Sequence, residues 1–160
     1  MKSLLITAMT LVSLMLMSST AYSADFDKGM EAYGKGDYKT ALEEWRPHQG
    51  YASALYNLAL MYRNGEGVPK DDKEAVKWYR LAAEQGHASA QNNLALMYRN
   101  GEVVLQDSVY AHMWWNIASA NGSKEGSENR DALAKQMTPS QIEKAQELAR
   151  QCMKKEYKDC

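Results

Sequence analysis

Residues 49–66 read QGYASALYNLALMYRNGE, and residues 85–102 read QGHASAQNNLALMYRNGE. The two stretches agree at 15 of 18 positions and stand 36 residues apart. The register continues beyond them, with Val68 meeting Val104, Asp71 meeting Asp107, Ala75 meeting Ala111, Trp78 meeting Trp114, Ala82 meeting Ala118 and Gly86 meeting Gly122. A fixed period of this length is the mark of stacked supersecondary units, each burying its apolar face on its neighbours.

Each unit reads as two helices. Ala54, Leu58, Met61 and Tyr62 recur at helical spacing, as do Ala90, Leu94, Met97 and Tyr98. Asn64-Gly65 then breaks the first helix, because glycine reaches the left-handed conformation of a C-terminal cap. Pro69 and Asp71-Asp72 open the second helix, whose apolar set is Ala75, Trp78, Tyr79 and Ala82, and Gly86 ends it. The next unit follows the same plan through Ala111, Trp114, Trp115 and Ala118 to Gly122. Upstream, Ala32-Tyr33, Gly36-Asp37-Tyr38, Ala41, Trp45 and Pro47 carry a looser small–aromatic–small rhythm, with the second helix two residues short near His48. Downstream the repeat is expected to stop, and two capping helices are expected at about 124–136 and 139–155. The second opens on a capping box, Thr138-Pro139-Ser140-Gln141, with Ile142, Ala145, Leu148, Ala149 and Cys152 as its inner stripe.

The patterns at 54–69, ALYNLALMYRNGEGVP, and at 75–86, AVKWYRLAAEQG, resemble Sel-like repeats, a branch of the tetratricopeptide-repeat superfamily. The resemblance covers roughly 26–122. It implies an all-α, right-handed α-solenoid of about three helical hairpins, ending in capping helices. The expected organisation is a signal peptide over 1–23 and one domain over 24–160, with a degenerate repeat at 24–49, repeats at 50–85 and 86–122, and caps at 123–160. The role the resemblance implies is that of an adaptor assembling complexes. One departure is plain: Gly67 and Pro69 of the first loop become Val103 and Leu105, so a turn of different conformation, with an exposed Val103-Val104-Leu105, is expected there.

The first residues read as a secretory leader. Lys2 supplies a positive start, Leu4–Met17 is uncharged and mostly apolar, and small residues from Ser18 to Ala24 suit cleavage after Ser23, with Ala24 as the neighbouring choice. The apolar stretch is short for a membrane span, and no cysteine near it suggests lipid attachment. A periplasmic or secreted protein without stable membrane insertion is expected, in either case as a monomer, although a Val103–Leu105 loop at the surface would equally serve a dimer. In such a compartment the close pair Cys152 and Cys160 reads as a disulfide pinning the tail.

Charge is balanced at 19 basic and 20 acidic residues, which argues against nucleic acid, since a phosphate-binding surface normally needs a clustered excess of Lys and Arg. His48, His87 and His112 share no metal-ligand spacing, so no metal site is expected. No nucleophile elbow, Ser-x-x-Lys or phosphate loop occurs, and neither catalytic residues nor a cofactor are expected. A cysteine-rich subgroup of Sel-like proteins is linked to penicillin binding and weak β-lactam hydrolysis. Its members carry a cysteine pair in every repeat, and this chain has none there.

What remains is a binding surface for a protein or peptide. In a helical-hairpin solenoid the first helices line the concave face. Their outward positions here are Tyr56, Asn57, Leu60 and Arg63, then Asn92, Asn93, Leu96 and Arg99, with Met30 and Tyr33 joining from the first hairpin. Amides suit an extended peptide backbone, arginines suit carboxylates, and the apolar side chains suit anchors. Two plainer roles stand beside this one: Asn57 and Asn93 satisfying buried backbone, and Arg63 and Arg99 closing helix ends. Trp78 and Trp114, being repeat equivalents, belong to the core, whereas Trp115 replaces Tyr79 and stands out.

Overall fold

The computed structural model describes residues 26–45, 51–102 and 106–160. The expected leader, the Pro47–His48 junction and the Val103–Leu105 turn lie outside them. All regular structure among the described residues is helical. They fall into two compact units, one of residues 26–45 and one of residues 51–102 and 106–160.

In the first unit, α1 (described over 26–34) and α2 (Tyr38–Trp45) form a hairpin turned at Gly36, whose φ is 75°. Its centre is Trp45, fully buried, with an indole N–H that donates to the Phe26 carbonyl at 3.3 Å. The ring lies so close to α1 that a Cβ at Gly29 would stand 2.3 Å from its nitrogen. Only glycine fits there.

The second unit begins with two hairpins built alike. The first is α3 (Ala52–Asn64) and α4 (Asp72–Ala83); the second is α5 (Ala88–Asn100) and α6 (Ser108–Ala120). The sequence signals act as expected. Gly65 and Gly101 sit at φ 74° and 69°, each returning its N–H to a methionine carbonyl, that of Met61 or Met97. Asp71 caps α4 by accepting from the Lys73 and Glu74 amides, and Asp107 caps α6 through Val109 and Tyr110. Each capping aspartate also donates its own N–H to the preceding helix, Asp71 to Tyr62 at 2.8 Å and Asp107 to Tyr98 at 3.0 Å. This bond sets the hairpin spacing twice over. Between the helices lie Leu58, Met61, Trp78 and Tyr79 in one hairpin, and Leu94, Met97, Trp114 and Trp115 in the other, all buried. Burying each such side chain contributes about 1.5–3 kcal/mol.

The helical frame continues for one helix beyond the sequence similarity. Helix α7 (Lys124–Ala134) starts 36 residues after α5 starts, packs on α5 and α6, and buries Gly126 and Leu133 at the positions that Ala90 and Met97 hold in α5. Repetition fails only at α8 (Pro139–Lys154), which begins five residues ahead of position 144, where the α6 frame would place it. Helix α8 covers α6 with Ala145, Ala149 and Cys152, while Ile142 and Leu148 are half-buried. Its capping box is complete: Gln141 N donates to Thr138 Oγ1 at 3.3 Å, and Thr138 N to Gln141 Oε1 at 2.8 Å. Cys152 and Cys160 are joined by a disulfide.

Candidate functional site

Helices α3 and α5 are successive first helices of the repeat and carry six candidate residues in matched pairs: Asn57 and Asn93, Leu60 and Leu96, Arg63 and Arg99. All six are half-buried, neither in the core nor free of it. Arg63 and Arg99 stand in the last turns of their helices, where a cation also complements the helix dipole. The Arg99 guanidinium makes no ion pair among the described residues.

Beneath this surface lies a residue that the sequence reading assigned to packing alone. Tyr79 on α4 is fully buried, and no group among the described residues meets its hydroxyl with hydrogen-bonding geometry. Burial pushes its pKa up; the nearby Arg63 guanidinium opposes that, Tyr56 adds to it, and Asn93 opposes it more weakly. The hydroxyl therefore has a side chain of α3 and one of α5 beside it. Tyr56 closes the cluster. Its ring stands 5.9 Å from that of Tyr79 and stacks at 4.6 Å on His87, the residue that caps α5 by accepting from the Ala90 amide.

One repeat further the same positions are used differently, and one expected site residue is corrected. Asn92 occupies the place of Tyr56, but it is only 4% exposed. Its Oδ1 accepts from Trp115 Nε1 at 2.9 Å and from Asn129 Nδ2 at 3.3 Å. Replacing Tyr79 by Trp115 brings an indole donor to this spot, and a short amide turned inward satisfies it. Asn92 is therefore a core polar residue, not a surface one. Trp115, which departs from the repeat by replacing Tyr79, is fully buried. A readable trace of this exists: in two nearly identical stretches, positions 56/92 and 79/115 change together. Asn129 was missed altogether, although it continues the 36-residue spacing of Asn57 and Asn93.

The two candidates on α1 belong to the first unit. Tyr33 packs against Tyr38 at 5.5 Å and Trp45 at 5.7 Å, as part of that unit's aromatic cluster. Met30 is 42% exposed. Of the histidines, His87 is a helix cap and His112 is buried in α6, where burial and then Arg130 lower its pKa, with Asp131 opposing. No three potential metal ligands cluster among the described residues.

Helical hairpins repeated at a fixed period, with a matched set of polar and apolar side chains on successive first helices, define an α-solenoid repeat protein. Residues 52–87 and 88–123 match the Sel1 repeat, so the chain carries two repeats of a kind that belongs to the tetratricopeptide-like superfamily. Such proteins typically serve as protein-interaction scaffolds and are generally non-catalytic. Among solved structures, the chain resembles c5321, a protective antigen of uropathogenic Escherichia coli strains with an SLR fold, at 32% identity and a TM-score of 0.76 over 85% of this chain and 31% of that one. A Sel1 repeat protein from Oxalobacter formigenes matches at 30% identity and a TM-score of 0.65, over 68% of this chain and 45% of that one. A relative from Rhizobium leguminosarum bv. viciae, an exopolysaccharide production negative regulator, is 38% identical over 61 residues, 37% of this chain and 23% of the relative. The chain thus spans less than half the length of each of these proteins.

Proposed function

We propose that this protein is a non-catalytic scaffold of the bacterial periplasm, or secreted, that holds a segment of a partner protein on the face formed by α3 and α5. The observation that carries this reading is the matched, half-buried set Asn57/Asn93, Leu60/Leu96 and Arg63/Arg99. All six lie at the edge of the core on successive first helices, where a docked segment would reach them. An extended segment running across both helices would meet the same sequence of groups twice: an amide for its backbone, an apolar contact and a cation for a carboxylate. Rigid stacked hairpins bind with little ordering of their own backbone, and a footprint of two repeats suits a micromolar Kd, about −8 kcal/mol.

The test is affinity capture from periplasmic extract with the leaderless chain, beside a variant with Leu60, Arg63, Leu96 and Arg99 changed to alanine. Loss of a captured partner by the folded variant supports the face. Equal capture by both baits moves binding to another surface, and no capture by either counts against scaffolding. Cell fractionation and N-terminal sequencing of the exported chain test the compartment and the Ser23 cleavage.

A further inference from the structure

The residues after α8 form a closed loop with an unusual backbone. Glu156, Tyr157 and Asp159 have φ of 53°, 67° and 53°, the left-handed region that side chains with a Cβ rarely adopt. Such a run persists only where its surroundings over-determine it, and here two constraints do so. One is the bond from Cys152 to Cys160. The other is the docking of Tyr157. Its hydroxyl donates to Asn121 Oδ1 at 3.0 Å, and its ring lies against Gly86, where a Cβ would stand 3.4 Å from it. Asn121 Nδ2 donates in turn to Gln91 Oε1 at 3.0 Å, and the fully buried Gln91 donates through Nε2 to the Ala83 carbonyl at 3.0 Å. Three hydrogen bonds therefore run in series from the tail, through the end of α6, to the end of α4. They tie down the turns that close both repeats. The first repeat has Leu55 at the place of Gln91 and has no such series.

We propose that the Cys152–Cys160 loop is a redox-operated latch: oxidised, it holds Tyr157 across the turns after α4 and α6; reduced by a dithiol, it releases Tyr157 and loosens both turns. The burial of the two sulfur-bearing residues gives the step its direction. Cys152 is 3% exposed and Cys160 is half-exposed, so the attacking thiolate of the dithiol reaches Cys160 Sγ. The Sγ–Sγ bond breaks, and its electron pair leaves on Cys152 Sγ, which takes a proton from solvent. The reductant's second thiolate then attacks its own sulfur in the mixed disulfide and expels Cys160 as a thiolate, which is protonated in turn. The protein gains two electrons and two protons, and the dithiol ends as a disulfide. Once the loop opens, the left-handed residues are no longer constrained from both sides. Asp159 favours release as well, since it brings a like charge toward Glu84, whose pKa burial raises first, with Arg80 opposing and Asp159 adding to the rise.

Hydrogen exchange read by mass spectrometry on the full chain, oxidised or held in dithiothreitol, tests this. On reduction, amides at 155–160, 84–91 and 119–123 are expected to exchange at least about tenfold faster while α3 stays protected, as local opening requires. Tyr157→Phe in the oxidised chain should loosen 119–123 and 84–91 with the disulfide intact, which separates docking from closure. Cys152→Ser with Cys160→Ser should match the reduced chain. The latch is overturned if reduction frees 155–160 alone, since the bond then only tethers the tail. It is equally overturned if all helices lose protection together, since the bond is then a general staple.

Discussion

The amide oxygen of Asn92 accepts the indole N–H of Trp115 at 2.9 Å, in the place where the preceding repeat sets the ring of Tyr56 5.9 Å from that of Tyr79. A hydrogen bond in one unit thus does the work of an aromatic contact in its neighbour. Asn92→Ala leaves the Trp115 donor buried without a partner and opens space beside it, a loss of about 2–3 kcal/mol. Urea unfolding reads this directly. An unchanged midpoint would return Asn92 to the binding surface.

Equivalent positions then predict opposite outcomes. Tyr79→Phe removes a buried hydroxyl that lacks a well-placed partner, so stability should stay within about 0.5 kcal/mol or rise. Trp115→Phe strips Asn92 of its donor and leaves a void, costing about 2–4 kcal/mol. Thermal midpoints of the two variants against the parent chain settle the contrast.

His87 makes the second repeat sensitive to acid. Its Nδ1 must be unprotonated to accept the Ala90 amide at 3.3 Å, and burial lowers its pKa. The folded state therefore binds the proton less readily than the unfolded chain. Its contribution is fully present above the unfolded value of 6.5 and is lost as pH falls toward the lower folded value. His112, lowered in the same direction, adds to the slope. His87→Asn keeps a capping acceptor without a titration and should flatten part of the drop between about pH 7 and 5, worth roughly 1 kcal/mol. Urea midpoints across that range measure it, and an equal slope in the variant would refute the assignment.

Gly126 marks where α7 presses on α6. A Cβ there would meet that of Ala118 at 2.9 Å and Ser123 Oγ at 3.2 Å. Gly126→Ala gains about 1 kcal/mol of helix propensity but must push two backbones apart, at about 1–3 kcal/mol. The net is expected to be destabilising, with hydrogen exchange rising first in α7. A stabilised variant would mean that α7 is free to shift.

Much of this protein was legible in its residues. A 36-residue period, glycines and aspartates at fixed offsets and a complete capping box are local signals, and each acts within one or two helical turns. They determined the hairpins, the helix ends and the fold class. Other features were not local. Beyond the paired change at 56/92 and 79/115, the residues next to Asn92 do not say that Trp115 and Asn129 converge on it, because those are 23 and 37 positions away and meet only when three helices pack. The α7 frame persisted after its sequence had drifted, since a small residue at 126 and an apolar one at 133 suffice to fill the same place. The series from Tyr157 to Ala83 and the Tyr79 hydroxyl between Arg63 and Asn93 were likewise decided by the tertiary structure alone. A residue's period tells which side of its helix it lies on, but whether that side meets solvent or a donor from another repeat depends on what the rest of the chain brings against it.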